Sequence, residues 1–550
     1  MMGAVSIRTL CLAALTTLAA CGGGGSALTG GTGGVTTPTP TPGPTPTPAS
    51  GTDVVTYKYD TFRSGANLTE TVLTPANVNS GSFGRLRFLA TDAKVDAQPL
   101  YLSGLSLMGG THNVVYVASE GDTVYAFDAD SGAVLWQVSL LGSNETVDDL
   151  PPYGCDQVSP TIGVTSTPVI DRSAGLIYVV AMSKTSGSSS YHQRLHALDL
   201  TSGAEKLGGP VDISASFAVA GGATTFDPAQ YVERAALLLS QGTLYTSWTS
   251  HCDVAPYSGW VIAFDAQSLA RTAVLDVAPN SGGAGPAIWM SGGGPAADTS
   301  GNVYLLTANG AFETSLTASG FPSGADYGNS FLKLVASGGT LQVADYFTMS
   351  NVLDESSRDV DLGSGGVLLL PDLTDASGTV RQLAVGAGKD GNIYVVERGA
   401  MGKFAAGTNQ IWQQVNSVLG GGIWSTPAYF NGTLYYGPVG DALRAFAVHD
   451  ALLSSTPSST TSNSFTYPGT APSVSASGTA NAIVWAHENS DPAVLHAYDA
   501  TDLSHELYNS AQAAGGRDQL GTGNKFITPV VADGKVFVGQ QNGVAVFGLL

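Results

Sequence analysis

The feature that most constrains this chain is a unit of short strands and tight turns that returns along the sequence to the last residue. One copy reads Val114-Val115-Tyr116-Val117-Ala118, a turn at Glu120-Gly121-Asp122, Val124-Tyr125-Ala126-Phe127-Asp128, a turn at Ser131-Gly132, then Val134-Leu135-Trp136-Gln137-Val138. β-Branched and aromatic runs separated by Gly, Asp and Ser are the pattern of strands joined by hairpin turns. The unit recurs at Ile177-Tyr178-Val179-Val180 with Leu195-His196-Ala197-Leu198-Asp199. Its middle strand returns at Gly259-Trp260-Val261-Ile262-Ala263-Phe264-Asp265 and at Val494-Leu495-His496-Ala497-Tyr498-Asp499. An opening strand, often with Pro ahead of an apolar pair, starts at Gln98-Pro99, Thr167-Pro168, Ala235-Ala236, Gly294-Pro295, Gly366-Val367, Thr426-Pro427, Ala471-Pro472 and Thr528-Pro529. Starts spaced about 60 residues apart, each heading about four strands, predict an all-β, eight-bladed propeller.

The chain ends fit a closed ring. The last unit stops after its third strand, Val544-Ala545-Val546-Phe547, and a spare strand, Arg85-Leu86-Arg87-Phe88-Leu89-Ala90, precedes the first unit. The spare strand is expected to complete blade eight and leave no open sheet edge. Two stacked sandwich domains do not explain this complementary deficit. Composition agrees: 70 glycines and only 12% charged residues describe strands and turns rather than helices. A net charge of −21 without basic stripes excludes nucleic acid and docking on anionic lipid.

Residues 1–52 carry an address and a tether. Arg8 precedes an apolar stretch from Leu10 to Ala20 that is too short for a bilayer of ~30 Å and suits a signal peptide over residues 1–20. Its end, Leu18-Ala19-Ala20-Cys21, resembles the bacterial lipobox, which implies lipidation of Cys21. Acyl chains on that cysteine give stable anchoring, and Gly22 after it points to the outer membrane, periplasmic or surface-exposed. Residues 21–52, Gly-rich and then Thr-Pro repeats, read as an extended spacer. The folded body is residues 53–550. With Cys11 and Cys21 in the leader, Cys155 and Cys252 remain and are expected to pair, as exported cysteines do. No CxxCH haem-attachment site is present.

The spacing Asp128-x-x-Ser131-Gly132-x-x-x-Trp136 resembles the tryptophan-docking repeat of quinoproteins that use pyrroloquinoline quinone (PQQ). The segments Tyr59-Asp60-Thr61-Phe62-Arg63 and Leu73-Thr74-Pro75-Ala76-Asn77-Val78 are similar to the lead-in of those enzymes. Asp359-Val360-Asp361-Leu362-Gly363-Ser364-Gly365 and Val385-Gly386-Ala387-Gly388-Lys389-Asp390-Gly391 resemble polyvinyl-alcohol dehydrogenase in particular. The resemblance implies a site at the top centre of the ring, with PQQ on a floor Trp, Ca²⁺ on Glu and Asn, an Asp base and a cationic contact to the quinone. Carried over, Trp289 is the floor, Asn309 a metal ligand, Asp326 the base and Lys389 the cation. The family's Gly-Asp-Asn reads differently around Asp326, and its Glu ligand is absent. The loop there is Ser250-His251-Cys252-Asp253-Val254, where Asp253 is the substitute ligand. The vicinal cysteine pair is reduced to Cys155-Asp156.

Two functions stay open. One is a monomeric, lipid-anchored envelope quinoprotein that oxidises an alcohol or polyol and passes electrons to a separate cytochrome. The alternative is a non-catalytic outer-membrane propeller, either a scaffold for envelope proteins, similar to the assembly lipoprotein, or a module that binds polymer or carbohydrate.

Overall fold

The turn that closes each middle strand shows why the repeat folds as it does. Asp128 Oδ1 accepts from the backbone N–H of Asp130 and Ser131 and from the Ser131 hydroxyl. Asp199 serves Thr201 and Ser202 in the same way. An Asp that binds its own turn fixes the chain reversal, and Gly203 takes the left-handed position at φ +70°. Trp136 then crosses to the next blade, where its Nε1 donates to the Leu200 carbonyl at 3.0 Å. Its ring lies 2.7 Å from where a Cβ on Gly203 would stand, so that glycine also makes room for the indole. The hydroxyls of Tyr116, Tyr178 and Tyr435 likewise donate to the Leu200, Ala266 and Ala500 carbonyls of the following blade. Apolar rings with one polar tip thus join neighbouring sheets.

The computed structural model describes residues 53–148, 155, 157–219, 221–283 and 285–550. The signal peptide, Cys21 and the Thr-Pro spacer lie outside the described residues. Eight sheets of four or five strands, antiparallel except where Ala66–Asn67 runs parallel to Ser473–Ser477, form the predicted propeller. Blade one is Leu100–Leu107, Gly110–Ser119, Thr123–Asp128 and Val134–Ser139. Blades two to seven open at Val169–Asp171, Leu238–Ser240, Ala296–Ala297, Leu368–Leu369, Ala428–Phe430 and Ser473–Ser477. Blade eight takes Val530–Ala532, Lys535–Gln540 and Gly543–Leu549 from the C-terminus and Phe83–Ala90 from the N-terminal side. The register of that closure runs from Phe83 opposite Leu549 to Ala90 opposite Gly543. The core lies between blades, as where Val169, Tyr178 and Leu195 of blade two pack with Leu244, Trp248 and Ile262 of blade three. No helix among the described residues is long and apolar enough to cross a membrane.

The lead-in segment is the axle of the ring, a role its sequence does not announce. Val54 pairs with Tyr101 of blade one, and the Val55 carbonyl accepts from Ile170 of blade two. Thr61, Phe62, Ser64 and Gly65 accept from Ala297, Leu369, Tyr429 and Val474, in blades four to seven. Arg63 Nη2 donates to the Leu237 carbonyl leading into blade three, and Asn67 Nδ2 to Val531 of blade eight. All eight blades therefore bond to one strip of about a dozen residues, which satisfies backbone groups that an open channel would leave to water. Arg63 is fully buried, yet each of its three guanidinium nitrogens is bonded, reaching Pro295, Thr56, Tyr57 and Leu237. Lys58 is also 0% exposed, and its Nζ donates to the Pro472 carbonyl.

Candidate functional site

Loops from successive blades meet over one mouth of the plugged channel, around a cavity of about 80 Å³. Trp289, Trp424, Tyr467 and Phe526 supply aromatic walls, Arg234 and Lys389 positive charge, and Asp253 and Asp361 carboxylates. Of the residues singled out in the sequence, Trp289, Lys389 and Asp253 are brought together here. Asp361, Arg234, Trp424, Tyr467 and Phe526 were not singled out for the site, although Asp361 stands in the quoted motif around Gly363.

The charged centre is the pair Lys389–Asp361. Lys389 Nζ lies 2.7 Å from Asp361 Oδ2 and 3.0 Å from Asp359 Oδ2. Asp361 is 6% exposed, and its Oδ1 accepts from the Asn309 backbone N–H at 2.7 Å. The glycines of the two motifs make this approach possible. A Cβ on Gly388 would stand 2.0 Å from the Asp361 carbonyl, and one on Gly363 would stand 2.4 Å from the Thr307 carbonyl carbon. Burial pushes the Asp361 carboxyl above the usual carboxylate range, while Lys389 pulls against it. Desolvation opposes the Lys389 charge, yet the two carboxylates hold its pKa above the ordinary lysine value.

Strain gathers at the same place. Cys252, Asp253, Met290, Ser291, Asp359 and Phe526 all adopt positive φ, between +44° and +67°. Non-glycine residues in this region cost free energy and cluster at working sites. The Cys155–Cys252 disulfide, with Cα atoms 5.4 Å apart, ties the loop carrying Gln157 and Val158 to the loop carrying Asp253. Both loops line the cavity.

Two singled-out residues stand elsewhere. Asp326 does not line the cavity: its Oδ1 accepts from Asn280 N–H at 2.8 Å. Burial, with a carboxyl–carboxylate bond to Glu313, raises its pKa to about 7. Asn309 reaches Asp361 only through its backbone, and its amide Nδ2 faces the Ser356 carbonyl at 3.5 Å. Among the described residues no group of three His, Cys, Asp or Glu side chains is arranged to hold a metal ion. Lys389 already supplies a positive charge against Asp361 and Asp359. The donor set present does not form a calcium site.

No protein-family model matches the chain, and no curated protein matches it. Solved structures do resemble it. A quinohemoprotein alcohol dehydrogenase from Comamonas testosteroni is 15% identical over 91% of this chain and 81% of its own, with a TM-score of 0.62. The quinohemoprotein alcohol dehydrogenase ADHIIG from Pseudomonas putida HK5 is 15% identical over 90% and 80%, with a TM-score of 0.59. A europium-containing methanol dehydrogenase is 14% identical over 90% and 98%, with a TM-score of 0.56. At this identity the likeness is one of fold: the chain is an eight-bladed β-propeller, the fold it shares with these dehydrogenases.

Proposed function

We propose that the chain is an exported propeller, anchored through Cys21, that oxidises an alcohol or polyol at the Trp289 cavity with PQQ as cofactor. The observation that carries this reading is the convergence of Trp289, Lys389 and Asp361 on one cavity. The fold likeness to alcohol dehydrogenases supports it. A planar, carboxylate-bearing quinone suits flat indole walls from Trp289 and Trp424, with Arg234 and Lys389 beside its anionic edges. By itself the cavity is smaller than the ~300 Å³ of common small-molecule sites. It adjoins a cleft of about 580 Å³ across Gln157 and Arg234, and the two together give the room. When bound, PQQ supplies the two-electron acceptor that no side chain can provide.

The chain's own residues do the rest. Asp361, raised by burial yet kept ionised by Lys389, takes the hydroxyl proton of the alcohol. Lys389 holds the carboxylate in place through its second bond to Asp359. Electrons then pass to a separate cytochrome, since the chain has no haem-attachment motif. The test is dye-coupled oxidation of ethanol and glycerol by the full chain supplied with PQQ. PQQ-dependent turnover that falls by about 10²–10⁴ in Asp361→Asn and persists in Asp326→Asn supports the proposal. Turnover unaffected by Asp361→Asn, or no turnover with PQQ, overturns it. The unassembled calcium donors favour one second reading, in which the same cavity binds its ligand without turnover. PQQ binding with no dye reduction is the result that selects that reading.

A further inference from the structure

The cleft of about 580 Å³ beside the Trp289 cavity has a charge pattern of its own. Its cations are Lys94, Arg234 and Lys525, and its carboxylates are Asp96 and Asp491. Asp96 is shared by Lys94 at 3.0 Å and Arg234 at 3.3 Å, and Asp491 accepts from the Thr522 hydroxyl at 3.2 Å. Lys525 pairs with no carboxylate among the described residues; its Nζ lies 5.8 Å from the Tyr467 ring centroid. The cleft thus holds one more positive than negative side chain, in a protein of net charge −21. Such a patch concentrates anions locally.

The cations are also held in place. The Arg234 side chain is only 5% exposed, and its guanidinium lies 4.7 Å over the Phe526 ring, with Nη1 alone engaged on Asp96. Phe526 sits at φ +67°, a conformation a bulky residue adopts only when its surroundings enforce it. Around these charges the lining is neutral and polar. Asn489 and Gln541 commit their amide nitrogens to protein oxygens, which leaves both amide oxygens as acceptors for ligand hydroxyls. Beside Lys525, Tyr467 of the neighbouring Trp289 cavity is 48% exposed and packs edge-on against Trp424 at 5.5 Å, an apolar platform for the flat face of a ring.

We propose that this cleft binds a carboxylate-bearing, polyhydroxylated ligand of the sugar-acid class. A neutral alcohol makes no use of Lys525, and a polyanion meets Asp96 and Asp491, so one carboxylate among many hydroxyls matches the set. The proposal shares the cleft and Arg234 with the PQQ reading but uses neither Trp289 nor Asp361, so Trp289→Ala separates the two.

The test is calorimetric titration of the full chain with lactobionate and with lactitol, its neutral counterpart. Lactobionate is expected to saturate at least tenfold more tightly than lactitol. Lys525→Gln should weaken lactobionate at least fivefold without changing lactitol, Lys525→Arg should restore it, and Trp289→Ala should change neither. Lys525 is half-buried and unpaired, so these variants keep the fold, and a thermal melt verifies that. Equal affinity for the two ligands, no saturation by lactobionate, or indifference to Lys525→Gln overturns the proposal.

Discussion

Replacing Lys58 by Met should make the ring more stable in mild acid and lose that advantage in base. Lys58 sits in the axle, 0% exposed, with one neutral partner, the Pro472 carbonyl. Burial lowers its pKa from 10.5 to about 7. Above pH 10.5 the lysine is neutral whether the chain is folded or not, and its charge costs nothing. As pH falls from there to 7, the unfolded chain gains a proton that the fold refuses, and stability drops. Below 7 both states are charged and the full cost stands. A gap of about 3.5 pH units at ~1.4 kcal/mol each makes that cost about 5 kcal/mol. Met removes it but leaves the Pro472 carbonyl unpaired, which returns about 1–3 kcal/mol. The net gain at pH 6 is then about 2–4 kcal/mol, and by pH 9.5 the benefit of removing the charge has shrunk to ~1.4 kcal/mol and is cancelled. Urea midpoints of both proteins at the two pH values measure the difference. A Lys58→Met effect that is the same at pH 6 and 9.5 would refute the reasoning, because it would mean that the ammonium is hydrated inside the axle.

Tyr178→Phe and Tyr435→Phe should each cost about 1–2 kcal/mol in urea unfolding, because each leaves a carbonyl of the next blade without its donor, and Tyr116→Phe should cost less, because Trp136 Nε1 still donates to the Leu200 carbonyl. Their effects should add, the three sites lying in different blades. Cys155→Ala with Cys252→Ala opens a bridge between residues 97 apart, and should cost about 2–4 kcal/mol, read as a lowered Tm that reductant then no longer changes. Asp326→Asn should leave the Tm unchanged at pH 3 and raise it at pH 8. Burial lifts that carboxyl to about 7, so its ionisation works against the fold as pH climbs from the ordinary carboxylate range to 7.

Much of the ring was legible because blade geometry is written in local patterns. The eight opening strands, the Asp-x-x-Ser-Gly turn of Asp128 and the reach of Trp136 each come from a few adjacent residues, and the split of blade eight follows from a missing strand at one end and a spare one at the other. The axle was not legible, because Val54 to Gly65 bond chiefly through their backbone to strands as far off in sequence as Val474, and no side-chain period marks that. The site was half legible. Trp289 and Lys389 sit in motifs whose glycines permit close approach, and both line the cavity. Asp326 and Asp361 are both aspartates near glycines, and only the packing of Gly363 and Gly388 shows which carboxylate meets Lys389. Phe526, Arg234 and Tyr467 come from three different blades' loops, so their meeting has no trace in the sequence.

Equilibrium dialysis of the full chain against PQQ tests the central claim most directly. The account predicts one saturable PQQ per chain, with affinity at least tenfold weaker in Trp289→Ala and in Lys389→Gln and unchanged in Asp326→Asn. No saturable PQQ binding, or binding that Trp289→Ala leaves unaltered, would contradict it.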